Sequence, residues 1–255
     1  AVVSAAMAKT PLYDFVSDDV QQTVWIIDAA ADIETLITEF AAAGSLYIAD
    51  GHHRTASAVR VGKMRREQHP GYSGDEEFNF FLSVLFPDEQ LYIMDYNRVV
   101  KDLNGNSEAE FLAKVSEKFT VAPYNGEGPC RPQQHHSFGM YLGGKWYLLR
   151  AKPEFVDESD IVAQLDVNVL QQNLLTPILG IGDPRTDKRI DFIGGIRGLQ
   201  YLADLVDAGA AVAFAMYPTS ISELIGIADA GRLMPPKSTW FEPKLLSGLF
   251  IHELS

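Results

Sequence analysis

Five consecutive residues, Asp50-Gly51-His52-His53-Arg54, gather more chemistry than any other stretch of this chain. A helix opens with free N–H groups and a partial positive charge. A glycine at its mouth lets backbone and ligand approach with no Cβ between them. Imidazoles and a guanidinium add donors, and a guanidinium can hold a phosphate with two parallel hydrogen bonds. Together these make an anion site, with phosphate the best fit. Asp50 adds a carboxylate at the end of an expected strand, as a general base on a hydroxyl or as a Mg²⁺ ligand. The catalytic candidates are therefore Asp50, His52 and His53, and the phosphate-binding candidates Gly51, His53 and Arg54. The plainer reading is that Asp50 caps a helix, the histidines lie on the surface or pack, and Arg54 pairs with a nearby acid. No metal centre is assigned: adjacent histidines in an extended turn point opposite ways, and no third ligand stands at metal spacing.

A second polar stretch runs from Arg232 to Lys244, where Pro235, Pro236 and Pro243 fix an extended path. Lys237, Ser238 and Thr239 on it extend the phosphate-binding set as a second pocket wall, unless the stretch is only a clamped surface loop. Arg185, Lys188, Arg189 and Asp191 form a further polar cluster. His135-His136 reads as a solvated loop, and Cys130 as an incidental loop thiol.

These residues need a scaffold. Thr23–Ile27 and Leu46–Ala49 read as apolar strands. Between them Ile33, Leu36, Ile37 and Phe40 have helical spacing, with Asp32 as N-cap and Gly44 as stop. A helix from about Arg54 to Arg66 follows the turn, giving strand–turn–helix over residues 46–66. Phe78–Phe86 and Leu91–Tyr96 read as a hairpin turned at 87–90. Ser107 caps a helix reaching Phe119, and Gly143-Gly144 joins the hairpin strands 138–142 and 145–150. Beyond Ile161 come helices at 167–175, 196–206 and 221–230, and strands at 190–193, 211–217 and 248–252. The expectation is an α/β fold, with α+β as its alternative, built on a mixed sheet with flanking helices. Residues 1–155 form a region carrying the turn and 156–255 a second packed on it, or the two are one continuous domain.

The chain has 255 residues, 47% hydrophobic and 22% charged, with a net charge of −13. That acidity argues against a nucleic-acid partner, which needs a basic footprint. Arg54, Arg60, Lys63, Arg65 and Arg66 nonetheless concentrate positive charge locally, which suits a small anion. No apolar run reaches about 20 residues, so no membrane span is expected. The single cysteine allows no internal disulfide and fits a reducing, cytoplasmic setting. The opening Ala-Val-Val-Ser-Ala-Ala-Met-Ala-Lys lacks a basic segment before an apolar one and reads as a trimmed terminus or fragment, not a secretory signal. Gly-x-Gly-x-x-Gly, Gly-Lys-Ser/Thr and Gly-x-Ser-x-Gly signatures are missing from the sequence. Oligomeric state is not readable.

The stretches Tyr47–Ala58 and Met234–Leu249, with Leu165-Asp-Val-Asn-Val-Leu170 between them, resemble the bacterial domain of unknown function 1015 family. The resemblance is to the C-terminal part of family members, which carry a further N-terminal region. The Asp-Gly-His-His-Arg turn is also similar to that of the ParB/sulfiredoxin superfamily, where a Gly-x-x-Arg turn before a helix binds nucleotide phosphates. Free serine kinases of that superfamily resemble this chain at the turn, with their acidic residue falling on Asp50. The resemblance implies phosphoryl transfer or hydrolysis in serine or phosphoserine metabolism; the cofactor is left open, with a nucleotide and Mg²⁺ as the candidates. A non-catalytic sensor of nucleotides or phosphometabolites is the alternative. Asp28 and Glu34 are positional candidates for a second carboxylate.

Overall fold

Asp18 and Asp19 adopt positive φ of 51° and 61°, the backbone of a tight two-residue turn. They fold Tyr13–Ser17 (β1) back on Val20–Val24 (β2) in antiparallel register. The hairpin stands between the helices Val2–Met7 (α1) and Ala30–Ala42 (α2). In the computed structural model, which describes residues 1–254, these elements belong to a first unit, Ala1–Ile48, and the rest of the chain to a second, Ala49–Ser255. Position 155 falls inside the second unit, because the segments on either side of it share one core. In the first unit α2 begins at Ala30, so Asp32 lies in its first turn and Ala29 is the N-cap. The strand expected over 23–27 forms earlier, at 20–24, set by the Asp18-Asp19 turn.

The second unit opens with His52–Gln68 (α3). Residues 45–49 and 80–86 form no strand. Both have apolar strand-like composition, but a strand exists only where a neighbour completes its ladder, and Phe80, Phe81, Leu82, Val84 and Leu85 are exposed. The strand–turn–helix expected over 46–66 is thus a turn and a helix. Tyr92–Met94 (β3) does not return along 78–86 either. It pairs with Trp240–Glu242, the last strand (β10). No strand forms at 248–252.

The main sheet joins Tyr96–Val100 (β4), Phe119–Pro123 (β5), Ser137–Leu142 (β6), Lys145–Ala151 (β7), Ile190–Gly194 (β8) and Val212–Ala215 (β9) in the order β5-β7-β6-β9-β4-β8. The expected combination of sheet and helices is present, but the sheet is not mixed: every ladder in it is antiparallel, because hairpins and antiparallel returns join its strands, which is the α+β alternative. Alternating side chains supply two cores, one per face. Val100, Phe138, Met140, Leu142, Val212 and Phe214 face Phe111 and Val115 of Glu108–Lys118 (α4) and Val167 and Leu170 of Asp166–Leu170 (α5). Val99, Tyr141, Ala213 and Ala215 face Leu202 and Ala203 of Gln200–Asp207 (α6). Ile221–Asp229 (α7) completes the set; like α4 it starts with a capping box, Ser220 with Glu223. Among the described residues no helix is long and apolar enough to cross a membrane.

Candidate anion site at the Asp50 turn

Gly51 is the N-cap of α3, in the left-handed region at φ 83°. Asp50 turns its carboxylate onto this residue, and the Gly51 N–H donates to Asp50 Oδ1 at 2.8 Å. That donor is therefore used within the turn. The Thr55 N–H closes the first helical bond on the Gly51 carbonyl. Nothing caps the turn with a side chain, so the N–H groups of His52, His53 and Arg54 have no acceptor among the described residues. The Arg54 guanidinium folds back over Gly51. A Cβ built there would meet Arg54 Nη2 at 3.1 Å, so glycine gives the guanidinium its place as well as the backbone its conformation.

The second cation at the turn is Lys244, whose Nζ donates to Asp50 Oδ2 at 3.0 Å. The β10–β3 pairing brings this residue in from 194 positions away. Partial burial pushes the Asp50 carboxyl up. The Lys244 hydrogen bond, the Gly51 N–H and the charges of Lys244 and Arg54 outweigh this and hold it below the ordinary value of 3.8. His52 and His53 are exposed on the first turn. The turn thus gathers Asp50, Gly51, Arg54 and Lys244, with the imidazoles at its rim.

Residues 237–239 are placed differently. Lys237 Nζ lies over the rings of Tyr96 and Phe192, at 5.7 and 5.9 Å from their centres. Ser238 is buried and donates to the Pro235 carbonyl, and its own carbonyl accepts from Thr219. Thr239 is half-buried just before β10. The structure therefore puts Lys244 at the turn and Lys237 in an aromatic setting beside β4 and β8. Asp28 and Glu34 belong to the first unit and are exposed there. Among the described residues no group of three or more His, Cys, Asp or Glu is arranged to hold a metal ion.

The remaining polar clusters tie loops together. Arg185 pairs with Asp183, Arg189 with Asp187, and Lys101 with Asp191. Arg189 also donates to the carbonyls of Leu179 and Gly180. Cys130 is buried, and burial pushes its thiol up to about 11, which leaves it unreactive as a nucleophile.

His135-His136 lies in a turn as expected, with His135 exposed and His136 half-buried, but the pair is tied to the core. The His136 N–H and His135 Nδ1 both meet the buried Asp166 carboxylate, His136 Nε2 lies 2.9 Å from the Gln164 carbonyl, and His135 packs edge-on against Tyr217. The Asp166 hydrogen bond raises the His135 pKa above 6.5; burial opposes this, and the charges of Glu223 and Asp166 add to it. A raised folded-state pKa gives stability that is complete below the unfolded value and is lost as pH rises through the folded one. Unfolding free energy should therefore fall as pH climbs from about 6 through the neutral range, and His135→Gln should flatten that segment. Urea midpoints measured across it would reveal the slope.

A family model described as "Protein of unknown function (DUF1015)" matches residues 1–168. The chain belongs to that family. The matched DUF1015 region contains the Asp50 turn and ends within α5, so the 234–249 stretch and Lys244 lie beyond it. No curated protein matches the chain. Among solved structures, a free serine kinase in complex with AMP is similar at 12% identity over 84% of this chain and 81% of that one, with a TM-score of 0.38. A mutant of a free serine kinase in complex with ADP is similar at 14% identity over the same shares, also with a TM-score of 0.38. A conserved hypothetical protein from Pyrococcus furiosus is similar at 13% identity over 82% of each chain, with a TM-score of 0.37. Likeness at this level assigns neither substrate nor site residues to the DUF1015 chain.

Proposed function

We propose that this protein binds the phosphate group of a small molecule or nucleotide at the Asp50–Arg54 turn. One observation carries the reading. The 17-residue helix α3 opens with two imidazoles and a guanidinium and no acid, over N–H groups that no side chain caps. A helix start normally favours acidic side chains, and basic ones there cost stability. That cost is offset where an incoming anion completes the site. The ligand is small, since a net charge of −13 opposes binding to a nucleic-acid polymer.

Phosphoryl transfer to or from serine, or hydrolysis of phosphoserine, is the reaction suggested by the turn's resemblance to free serine kinases. Asp50, held ionised, suits a Mg²⁺ ligand better than a base. One carboxylate plus phosphate oxygens is an ordinary Mg²⁺ set, and the ion would neutralise charge on the transferred group. The depressed Asp50 pKa equally favours the second reading, a sensor that binds and does not react.

Calorimetric titration with inorganic phosphate, AMP and ADP tests the binding. Incubation with Mg²⁺ and serine plus ATP or ADP, and separately with phosphoserine, tests the chemistry. Product would establish the enzyme, and binding without product the sensor. In the sensor Asp50→Asn leaves affinity within a few-fold, because the cations remain. No binding of any of the three would end the reading.

A further inference from the structure

Arg98 carries a guanidinium into the protein without an opposite charge. It is 3% exposed on β4. Its Nη2 donates to the Lys237 carbonyl at 3.0 Å and its Nη1 to the Tyr96 carbonyl. Among the described residues no carboxylate pairs with it, and burial pushes its pKa down to about 10. An unpaired buried charge is costly to keep.

Lys237 adds to the imbalance. It is also free of ion pairs among the described residues, and it holds a left-handed backbone at φ 58°, uncommon for lysine. The Arg98 Cζ lies 5.5 Å from the Phe192 ring centre and Lys237 Nζ 5.9 Å from the same centre. Two cations are thus drawn to one ring, with only ring faces and carbonyls against their mutual repulsion. Beside Arg98 lies a cavity of about 360 Å³, lined also by Asn168, Phe192, Pro235, Pro236 and the Asp183–Arg185 ion pair; Lys237 follows its two prolines in the chain. Asn168 spends its N–H₂ on the Val162 carbonyl, which leaves its oxygen to accept from a ligand.

We propose that Arg98 and Lys237 form a second oxyanion subsite, in which a carboxylate or phosphate group of a small molecule enters the cavity lined by Arg98, Pro235 and Pro236. The volume suits a compact metabolite. The oxyanion takes the guanidinium fork, and a hydroxyl or amine on the ligand donates to Asn168. This subsite is independent of the Asp50 turn, yet one segment serves both. Lys244 lies 5.2 Å over the Trp240 ring, and Trp240 packs edge-on against Tyr96, the ring beneath Lys237.

The test is thermal unfolding in sodium phosphate and in sodium acetate, against sodium chloride at matched ionic strength. It is read in the chain carrying Arg54→Ala, at anion concentrations too low to fill the weakened Asp50 turn. Phosphate, acetate or both should raise Tm beyond chloride. A response to phosphate alone assigns a phosphorylated ligand, and a response to acetate a carboxylate. Adding Lys237→Asn, which tolerates the left-handed backbone, should weaken the apparent Kd at least tenfold. Adding Arg98→Met should abolish the response without lowering the ligand-free Tm. If Arg98→Met does not fold, Lys237→Asn, at an exposed position, still decides. An equal shift with and without Lys237→Asn, or none beyond chloride, overturns the subsite and leaves the Asp50 reading untouched.

Discussion

Gly139→Ala should destabilise the protein by about 3 kcal/mol or more, since overpacking of this kind typically costs 1–3 kcal/mol and the clash here is with backbone. Gly139 lies in β6, inside the sheet, between β7 and β9. A Cβ there would come within 2.0 Å of the Cys130 carbonyl oxygen and 3.2 Å of the Ala215 Cβ. The Cys130 segment cannot retreat easily, because Cys130 and Pro132 are themselves buried. The new methyl must therefore push two strands and the crossing segment apart. At roughly 2–4 °C per kcal/mol for a chain of this size, Tm should fall by about 10 °C. Gly71→Ala is the control, since nothing lies within 4 Å of its Cβ position. It should change stability by no more than about 0.5 kcal/mol. Equal melting of the two variants would show that the Cys130 crossing yields.

That crossing illustrates what a sequence hides. Features closed by a few residues are legible in it. Gly143-Gly144 announces the β6–β7 hairpin, and both glycines take the positive φ that such a turn requires, 56° and 76°. Ser107 announces α4 and does cap it. The Asp18-Asp19 turn was equally local, but aspartate signals φ > 0 more weakly than glycine does. Pairings across long separations leave no local trace. Tyr92–Met94 finds its partner at Trp240–Glu242; the nearer apolar run at 78–86 has the right composition for the role but no ladder. Separation in the chain likewise hides Lys244 from Asp50, 194 positions apart, and Asp166 from His135, 31 apart. Arg98 is hidden for another reason. Alternation in Tyr96–Val100 places its side chain on the same face as Val100, toward the core, and nothing in the pattern distinguishes a buried guanidinium from an exposed one.

Arg54→Ala should weaken phosphate or ADP binding about 100-fold, or roughly 2.7 kcal/mol, because a charge-assisted bidentate contact is lost and each hydrogen bond to a charged group contributes about 1.5–3 kcal/mol. The folded chain should not suffer. A cation in the first turn of α3 opposes the helix dipole, so Tm without ligand should stay level or rise, and a binding defect could not be blamed on unfolding. Arg54→Lys should recover only part of the affinity, since an ammonium is a point charge that cannot fork across two phosphate oxygens. Lys244→Ala acts by a different route. It frees Asp50 from its ion pair at 3.0 Å and presents an uncompensated carboxylate to the incoming anion, so affinity falls and the Asp50 pKa moves back up. Because both cations meet at Asp50, the double variant should lose less than the two single losses added together. The exposed geometry makes binding sensitive to salt, so the comparison belongs at fixed, low ionic strength. Arg54→Ala binding within twofold of the parent chain would remove the guanidinium from the site and, with it, the claim that this helix opening recognises phosphate.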